Sequence, residues 1–248
     1  MDAHGRMEMF PFFVASHCQS KVRAHASQED SHGVSGLEVQ MAFARQGTGL
    51  NEMLRNDSSS TSLGEASSDE IPGLIMQVVR CEQKRHAEAI LAIFNHAIVT
   101  STALYDYKPR TMETMSTWFD AKAKGKFPVL GLENEAGELM GFASYGTFRA
   151  FPAYKYSVEH SVYVDARFRG QGLGKRLLEE IVKAAQEQDY HLLIGVIDAA
   201  NTVSIRLHER LGFVHAGTIR QAGFKFGRWL DVAFYQRLLT TPAQPGDG

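Results

Sequence analysis

The run Arg169-Gly170-Gln171-Gly172-Leu173-Gly174 sits between a β-like segment, Ser161-Val162-Tyr163-Val164, and a helical segment beginning near Lys175. A strand, a glycine-dense loop and a helix in direct succession restrict the fold to one built on strand-to-helix turns. Glycine reaches backbone angles closed to other residues and lets a ligand approach the main chain. The first unpaired N–H groups of the helix face the loop, and the helix dipole favours an anion there. The run therefore reads as a pyrophosphate cradle. Two familiar phosphate loops fail on spacing. A dinucleotide fingerprint needs G-x-G-x-x-G, whereas the glycines here fall at 170, 172 and 174. A P-loop needs four residues between its glycines and then Lys-Ser/Thr, whereas Lys175 is followed by Arg176.

Around this loop the hydrophobic pattern sets a succession of elements. Residues 74–79 read as a strand. Ile90, Ile93, Phe94 and Ala97 repeat at helical spacing and predict a helix over 83–98. A second helix is expected over 111–124, with Thr111 as N-cap and Gly125 as its stop. Residues 127–132 and 139–145 flank the turn Asn134-Glu135-Ala136-Gly137 and predict a hairpin. A strand over 156–164 precedes the glycine loop. Leu173, Leu177, Leu178, Ile181, Val182 and Ala185 stripe the helix after it. A strand over 191–197 reads as buried on both faces. A short helix over 201–211 ends at Gly212, and strands over 213–219 and 229–238 follow. The order β-α-α-β-β-β-α-β-α-β-β gives an α/β fold, a mixed central sheet flanked by helices on both faces.

Charge divides the chain. Residues 1–72 carry 5 Lys+Arg against 10 Asp+Glu, and the remainder carries 21 against 18. The first 73 residues, acidic and rich in Ser and Gly, read as a largely disordered extension. Residues 74–240 form the folded domain and 241–248 a short tail. The net charge of −2 gives no bulk signal for nucleic acid or a membrane surface. Cys18 and Cys81 lie far apart, outside any metal spacing, which fits a reducing compartment and a cytoplasmic protein without a metal.

A second motif, Asn201 followed by a helix ending Leu211-Gly212-Phe213, comes about thirty residues after the glycine loop. Together with V-Y-V and R-G-x-G-x-G, it resembles the GNAT N-acetyltransferase family over residues 74–240. Tyr156 to Val164, Arg206-Leu207-His208-Glu209 and the run from Gly217 to Val232 resemble its phosphinothricin and methionine sulfoximine acetyltransferase branch. The resemblance implies acetyl-CoA as acetyl donor and a small amino acid or analogue as acceptor. It also implies a homodimer to which the last hairpin contributes.

Moving acetyl from a thioester to an amine requires holding the thioester, polarising its carbonyl, deprotonating the amine and placing it. The resemblance assigns the pyrophosphate to Gly170, Gln171, Gly172, Leu173, Gly174 and Lys175, with Arg169 adding charge. Val162, Tyr163 and Val164 lie on the strand whose main chain pairs with the pantetheine arm. A backbone N–H near Val162 would face the thioester oxygen. Asn201 and Ser204 lie beside the cofactor; Asn201 also reads as an ordinary helix N-cap. Period-two alternation puts Glu159, Ser161 and Tyr163 on one face, and His160 and Val162 on the other. A carboxylate at the centre of a half-buried strand is unusual unless paired or useful, so Glu159 is the expected base. Pairing with Arg149 or Lys155 is the bland alternative. His208 stands where many relatives carry a tyrosine that protonates the leaving thiolate. Arg149, Ala150 and Phe151 match the acceptor-binding loop of sulfoximine-type relatives, with Glu159, His160 and Ser161 completing the acceptor site. Acetylation of a peptide or protein amine or of another small amine, and a non-catalytic acetyl-CoA-binding module, remain the alternatives, and Glu159→Gln separates them.

Overall fold

A computed structural model describes residues 76–247. The extension expected over 1–73 and the strand start expected at 74 and 75 lie outside the described residues. The elements follow the expected order: β1 (Gln77–Arg80), α1 (Gln83–Thr100), α2 (Met112–Lys124), β2 (Val129–Glu133), β3 (Leu139–Thr147), β4 (Ser157–Val164), α3 (Leu173–Glu187), β5 (Leu192–Asp198), α4 (Thr202–Arg210), β6 (Val214–Lys225) and β7 (Arg228–Leu238). One sheet runs β1-β2-β3-β4-β5-β7-β6. Every neighbouring pair is antiparallel except β4 with β5.

Local chemistry explains the boundaries. Thr111 and Thr114 form a reciprocal cap, each side-chain oxygen accepting the other's backbone N–H, and Gly125 closes α2. Asn134 Oδ1 accepts the N–H groups of Ala136 and Glu138, which fixes the β2–β3 turn. The α3 stripe is buried along its length and packs on the face carrying Ala143, Tyr145, Val158 and Leu193. Helices α1 and α2 cover the opposite face through Ile90, Phe94, Met115 and Phe119 against Phe142. Each such buried aliphatic or aromatic side chain contributes about 1.5–3 kcal/mol.

One strand differs from expectation. β6 continues to Lys225 instead of ending at 219. A bulge between Ile219 and Gly223 interrupts its pairing with β7. Gln221 there has φ 53°, and its N–H donates to Asp231 Oδ1 at 2.8 Å. A bulge breaks the period-two pattern by which a strand is recognised, so the sequence reads as ending where the ladder only kinks. Beyond the bulge, Lys225 buries its ammonium and donates to the carbonyls of Ile98, Ser101 and Leu104, tying the hairpin to the end of α1.

Candidate active site

The parallel β4–β5 pair is short. It runs from Ser157 opposite Leu192 to His160 opposite Gly195 and stops there. β4 continues to Val164 against β3 only, while β5 continues to Asp198 against β7 only. The sheet therefore opens past His160. Phe148 N donates to Ser157 O and Asp165 N donates to Met140 O, so the odd-numbered residues of β4 bond towards β3. Alternation then turns the main-chain groups of Val162 and Val164 into the opening. Arg169 Nε takes the Val164 carbonyl at 3.3 Å. The N–H groups on this edge are positioned to pair with an extended ligand arm as a further strand would.

The glycine loop meets the same opening. Gly172 is the N-cap of α3 with φ 76°, a left-handed conformation that strains any residue with a Cβ. No side chain caps α3, in contrast to α2 and α4, and its first turn holds no acidic residue. Lys175 and Arg176 lie there instead, reaching Glu179 at 4.0 Å and Glu180 at 2.8 Å. Cations beside the positive end of a helix oppose the dipole, and become favourable only with an anion between them. The loop thus fits a pyrophosphate through the N–H groups of Leu173, Gly174 and Lys175, with Arg169 nearby.

Glu159 lies one residue before the opening, opposite Gly146 on β3. Its Oε2 is buried and makes no hydrogen bond among the described residues. Burial pushes its carboxyl up to about 7, against the opposing pull of Arg149 and Lys122. A half-buried carboxyl raised to about 7 has the proton affinity that general-base chemistry near neutral pH requires. Tyr163, on the same face, packs its ring against Phe94 and Phe142.

One cation missing from the expected site acts on Glu159, and a second acts on that cation in turn. Lys122 is half-buried in the α2 face, its Nζ donating to Tyr145 O at 2.7 Å, and burial lowers the ammonium to about 8 while Glu159 raises it. Arg110 lies over the Phe94 ring at 4.2 Å and pairs with Asp106 at 2.8 Å. A signal for Lys122 existed in the sequence. It falls at i+7 from Met115 and i+4 from Trp118, on the face of α2 turned to the sheet.

The other face of β4 carries a histidine pair. His160 and His208 are buried, with their Nε2 atoms 3.0 Å apart. His208 Nδ1 lies 2.7 Å from the Ser204 carbonyl, so it must donate there. His208 Nε2 then accepts from His160 Nε2–H, and both rings are neutral. Burial and the adjacent His208 lower His160 to about 3, the Ile194 carbonyl opposing, and burial lowers His208 too. Both rings pack on Phe213. His160 therefore sits across the sheet from Glu159 and Ser161, against His208 rather than beside them. Asn201 caps α4 by accepting Ser204 N–H at 3.1 Å, and the Ser204 hydroxyl lies 3.4 Å from His208 Nδ1.

The expected acceptor loop follows β3. Arg149 Nη1 donates to Phe148 O, and its guanidinium stacks over the Phe148 ring at 4.3 Å. Arg149, Ala150 and Phe151 line a cavity of about 210 Å³ with Lys155, Val158 and Tyr190. Val158 rather than Glu159 reaches that cavity, so the loop meets the base through the charge of Arg149 and not through a shared wall. Tyr105 buries an unpartnered hydroxyl, raised to about 12 by burial and by Asp198.

A parallel pair that opens at its end, a helix N-terminus with no side-chain cap among the described residues and a half-buried carboxylate beside them fit the class of coenzyme A-dependent acyltransferases. The model of the acetyltransferase (GNAT) family matches residues 92–213. The L-methionine sulfoximine/L-methionine sulfone acetyltransferase of Pseudomonas paraeruginosa PA7 is 44% identical over 147 residues, covering 59% of this chain and 86% of its own. A solved structure of a proposed acetyltransferase from Acinetobacter baylyi ADP1 shares 55% identity and a TM-score of 0.71, covering 72% of this chain and 100% of its own. The GNAT superfamily phosphinothricin acetyltransferase of Sinorhizobium meliloti, solved with acetyl-CoA, shares 32% identity and a TM-score of 0.65, covering 68% of this chain and 92% of its own. The chain belongs to the GNAT acetyltransferase family and is an acetyl-CoA-dependent N-acetyltransferase.

Proposed function

We propose that this enzyme acetylates the α-amine of a small amino acid or analogue of the methionine sulfoximine, methionine sulfone or phosphinothricin type. The observation that carries the reading is Glu159, a raised and unpartnered carboxylate next to the opening of β4 from β5. The names of the relatives from Pseudomonas and Sinorhizobium supply the acceptor class. Arg149 and Lys122 give the surroundings of Glu159 the positive charge that an acceptor carboxylate requires.

In this reading acetyl-CoA supplies the thioester, held by the α3 N-terminus and the edge of β4. Glu159 accepts a proton from the acceptor amine as the C–N bond forms. The C–S bond breaks, and the thiolate leaves with its electron pair. The Val162 N–H, turned into the opening, donates to the carbonyl oxygen. His208, neutral and committed to Ser204 and His160, holds the apex of the opening instead of supplying a proton. Asn201 and Ser204 shape the same corner. The β6–β7 hairpin exposes Ile219, Phe224, Phe226 and Trp229, which supports a homodimer through this element; light scattering tests it.

The test is thiol release by the full chain with acetyl-CoA and a panel of acceptors. Turnover on the sulfoximine, the sulfone or phosphinothricin, with little on polyamines or peptides, is the expected result. Turnover confined to peptide amines overturns the acceptor assignment. Acetyl-CoA binding without turnover on any amine leaves the binding-module alternative.

A further inference from the structure

Resting on the reading of Glu159 as base, one further group belongs to the reaction. Gly146 faces Glu159 across the β3–β4 ladder. Opposed residues of an antiparallel pair project to the same face, with Cβ atoms about 4.5–5.5 Å apart. Gly146 has no side chain to place there. A Cβ built on it would meet Lys122 Nζ at 3.6 Å and nothing nearer. The ammonium of α2 thus occupies the place of the missing cross-strand side chain. Tyr145 O, one residue earlier, anchors it at 2.7 Å. Only one of the three ammonium donors is used by that carbonyl, and the Lys122 and Glu159 charges each favour the ionised form of the other.

We infer that Lys122 is a positioning residue for acetyl transfer, a fixed counter-charge that favours the ionised form of Glu159 against its burial, beside the opening between β4 and β5. The glycine at 146 is part of the device, because a larger side chain would displace the ammonium. One other charge acts on the same carboxylate, and an ion pair lies beside Tyr163 and Lys122. Arg149 acts from the loop after β3, and the Arg110–Asp106 pair lies further along the α1–α2 connection. Tyr163, from β4 itself, is half-buried and neutral, its phenol raised to about 12 by desolvation. Arg149 exerts the larger pull on Glu159, and Lys122 differs from it in being anchored to β3 itself at Tyr145 instead of to the loop after it.

The experiment is the pH dependence of kcat/KM for methionine sulfoximine with the full chain, in the wild type, Lys122→Met, Lys122→Arg, Gly146→Leu and Glu159→Gln. Removing a nearby opposite charge raises a carboxyl pKa by about 1 unit or more. The acid limb should therefore move up by about one pH unit in Lys122→Met, with rates at pH 7 falling about fivefold. Lys122→Arg should restore the limb, and Gly146→Leu should shift it as Lys122→Met does. A Lys122 that only satisfies the Tyr145 carbonyl would lower the thermal midpoint and leave the limb in place, which overturns the inference. If Lys122→Met does not fold, the Gly146→Leu and Lys122→Arg profiles decide alone. Full turnover in Glu159→Gln instead overturns the base assignment itself, so the two failures are distinct.

Discussion

The histidine pair at the apex of the opening depends on a strand glycine, and replacing that glycine has a calculable effect. A Cβ on Gly195 would lie 3.0 Å from His160 Cε1 and 3.1 Å from both Cδ2 and Nε2 of His208. Favourable carbon contacts begin near 3.5 Å, so Gly195→Ala is short by about 0.4–0.5 Å on two rings at once. Neither ring can yield freely. His208 is held on the Ser204 carbonyl at 2.7 Å, His160 on His208 at 3.0 Å, and both on Phe213. Overpacking costs about 1–3 kcal/mol, and a broken buried hydrogen bond adds about 1–3 kcal/mol. Reduced freedom of the unfolded chain returns about 0.4–1 kcal/mol. Gly195→Ala should therefore lose about 1–6 kcal/mol in urea titration, with an unchanged m-value. Because His160 and Gly195 form the last pair before the opening, KM for acetyl-CoA should also rise. Gly146→Ala is the steric control, since its nearest contact of 3.6 Å is ordinary, and its stability should stay within about 0.5 kcal/mol. Equal midpoints for Gly195→Ala and wild type would refute the packing of both rings on this strand.

Three further outcomes follow from the geometry. Gly172→Ala forces a left-handed N-cap on a residue with a Cβ and should cost about 1–2 kcal/mol while weakening acetyl-CoA binding in calorimetry; unchanged affinity would separate the α3 N-terminus from the cofactor. Lys225→Met leaves the carbonyls of Ile98, Ser101 and Leu104 without their donor and should lower stability by at least about 2 kcal/mol in denaturant titration. The pH dependence of stability has two opposed contributions. His160, at about 3 when folded against 6.5, binds fewer protons in the fold below 6.5, so its contribution is lost as pH falls. Glu159, at about 7 against 4.5, binds more protons in the fold between 4.5 and 7, so its contribution grows as pH falls. The two largely offset, and Glu159→Gln should expose a loss of about 1.4 kcal/mol per pH unit below pH 6 in denaturant titrations; a flat profile there would contradict a neutral His160.

The sequence carried the element order because each boundary has local chemistry: the Thr111 cap, the Asn134 turn and the apolar stripe of α3. It carried the strand-to-helix turn before α3 because the glycines that make the turn are themselves the signal. It also placed Glu159 and His160 on opposite faces, since alternation along β4 is local. The continuation of β6 past residue 219 was hidden by a bulge that Asp231 stabilises from the neighbouring strand. The role of His208 depends on a tautomer that only the Ser204 carbonyl and His160 define. Lys122 was hidden for a related reason. Its position on α2 marks it as facing the sheet, but its partner there is set by the absence of a side chain at Gly146, a contact between segments far apart in sequence.

The most direct test of Glu159 as the base is a comparison of wild type with Glu159→Gln. Turnover of methionine sulfoximine and acetyl-CoA affinity would be measured on the same preparations across pH 5.5–9. The account predicts a wild-type acid limb near pH 7, a loss of about 10²–10⁴ in turnover in the variant, and acetyl-CoA binding within about threefold. Equal turnover in the two proteins would contradict it.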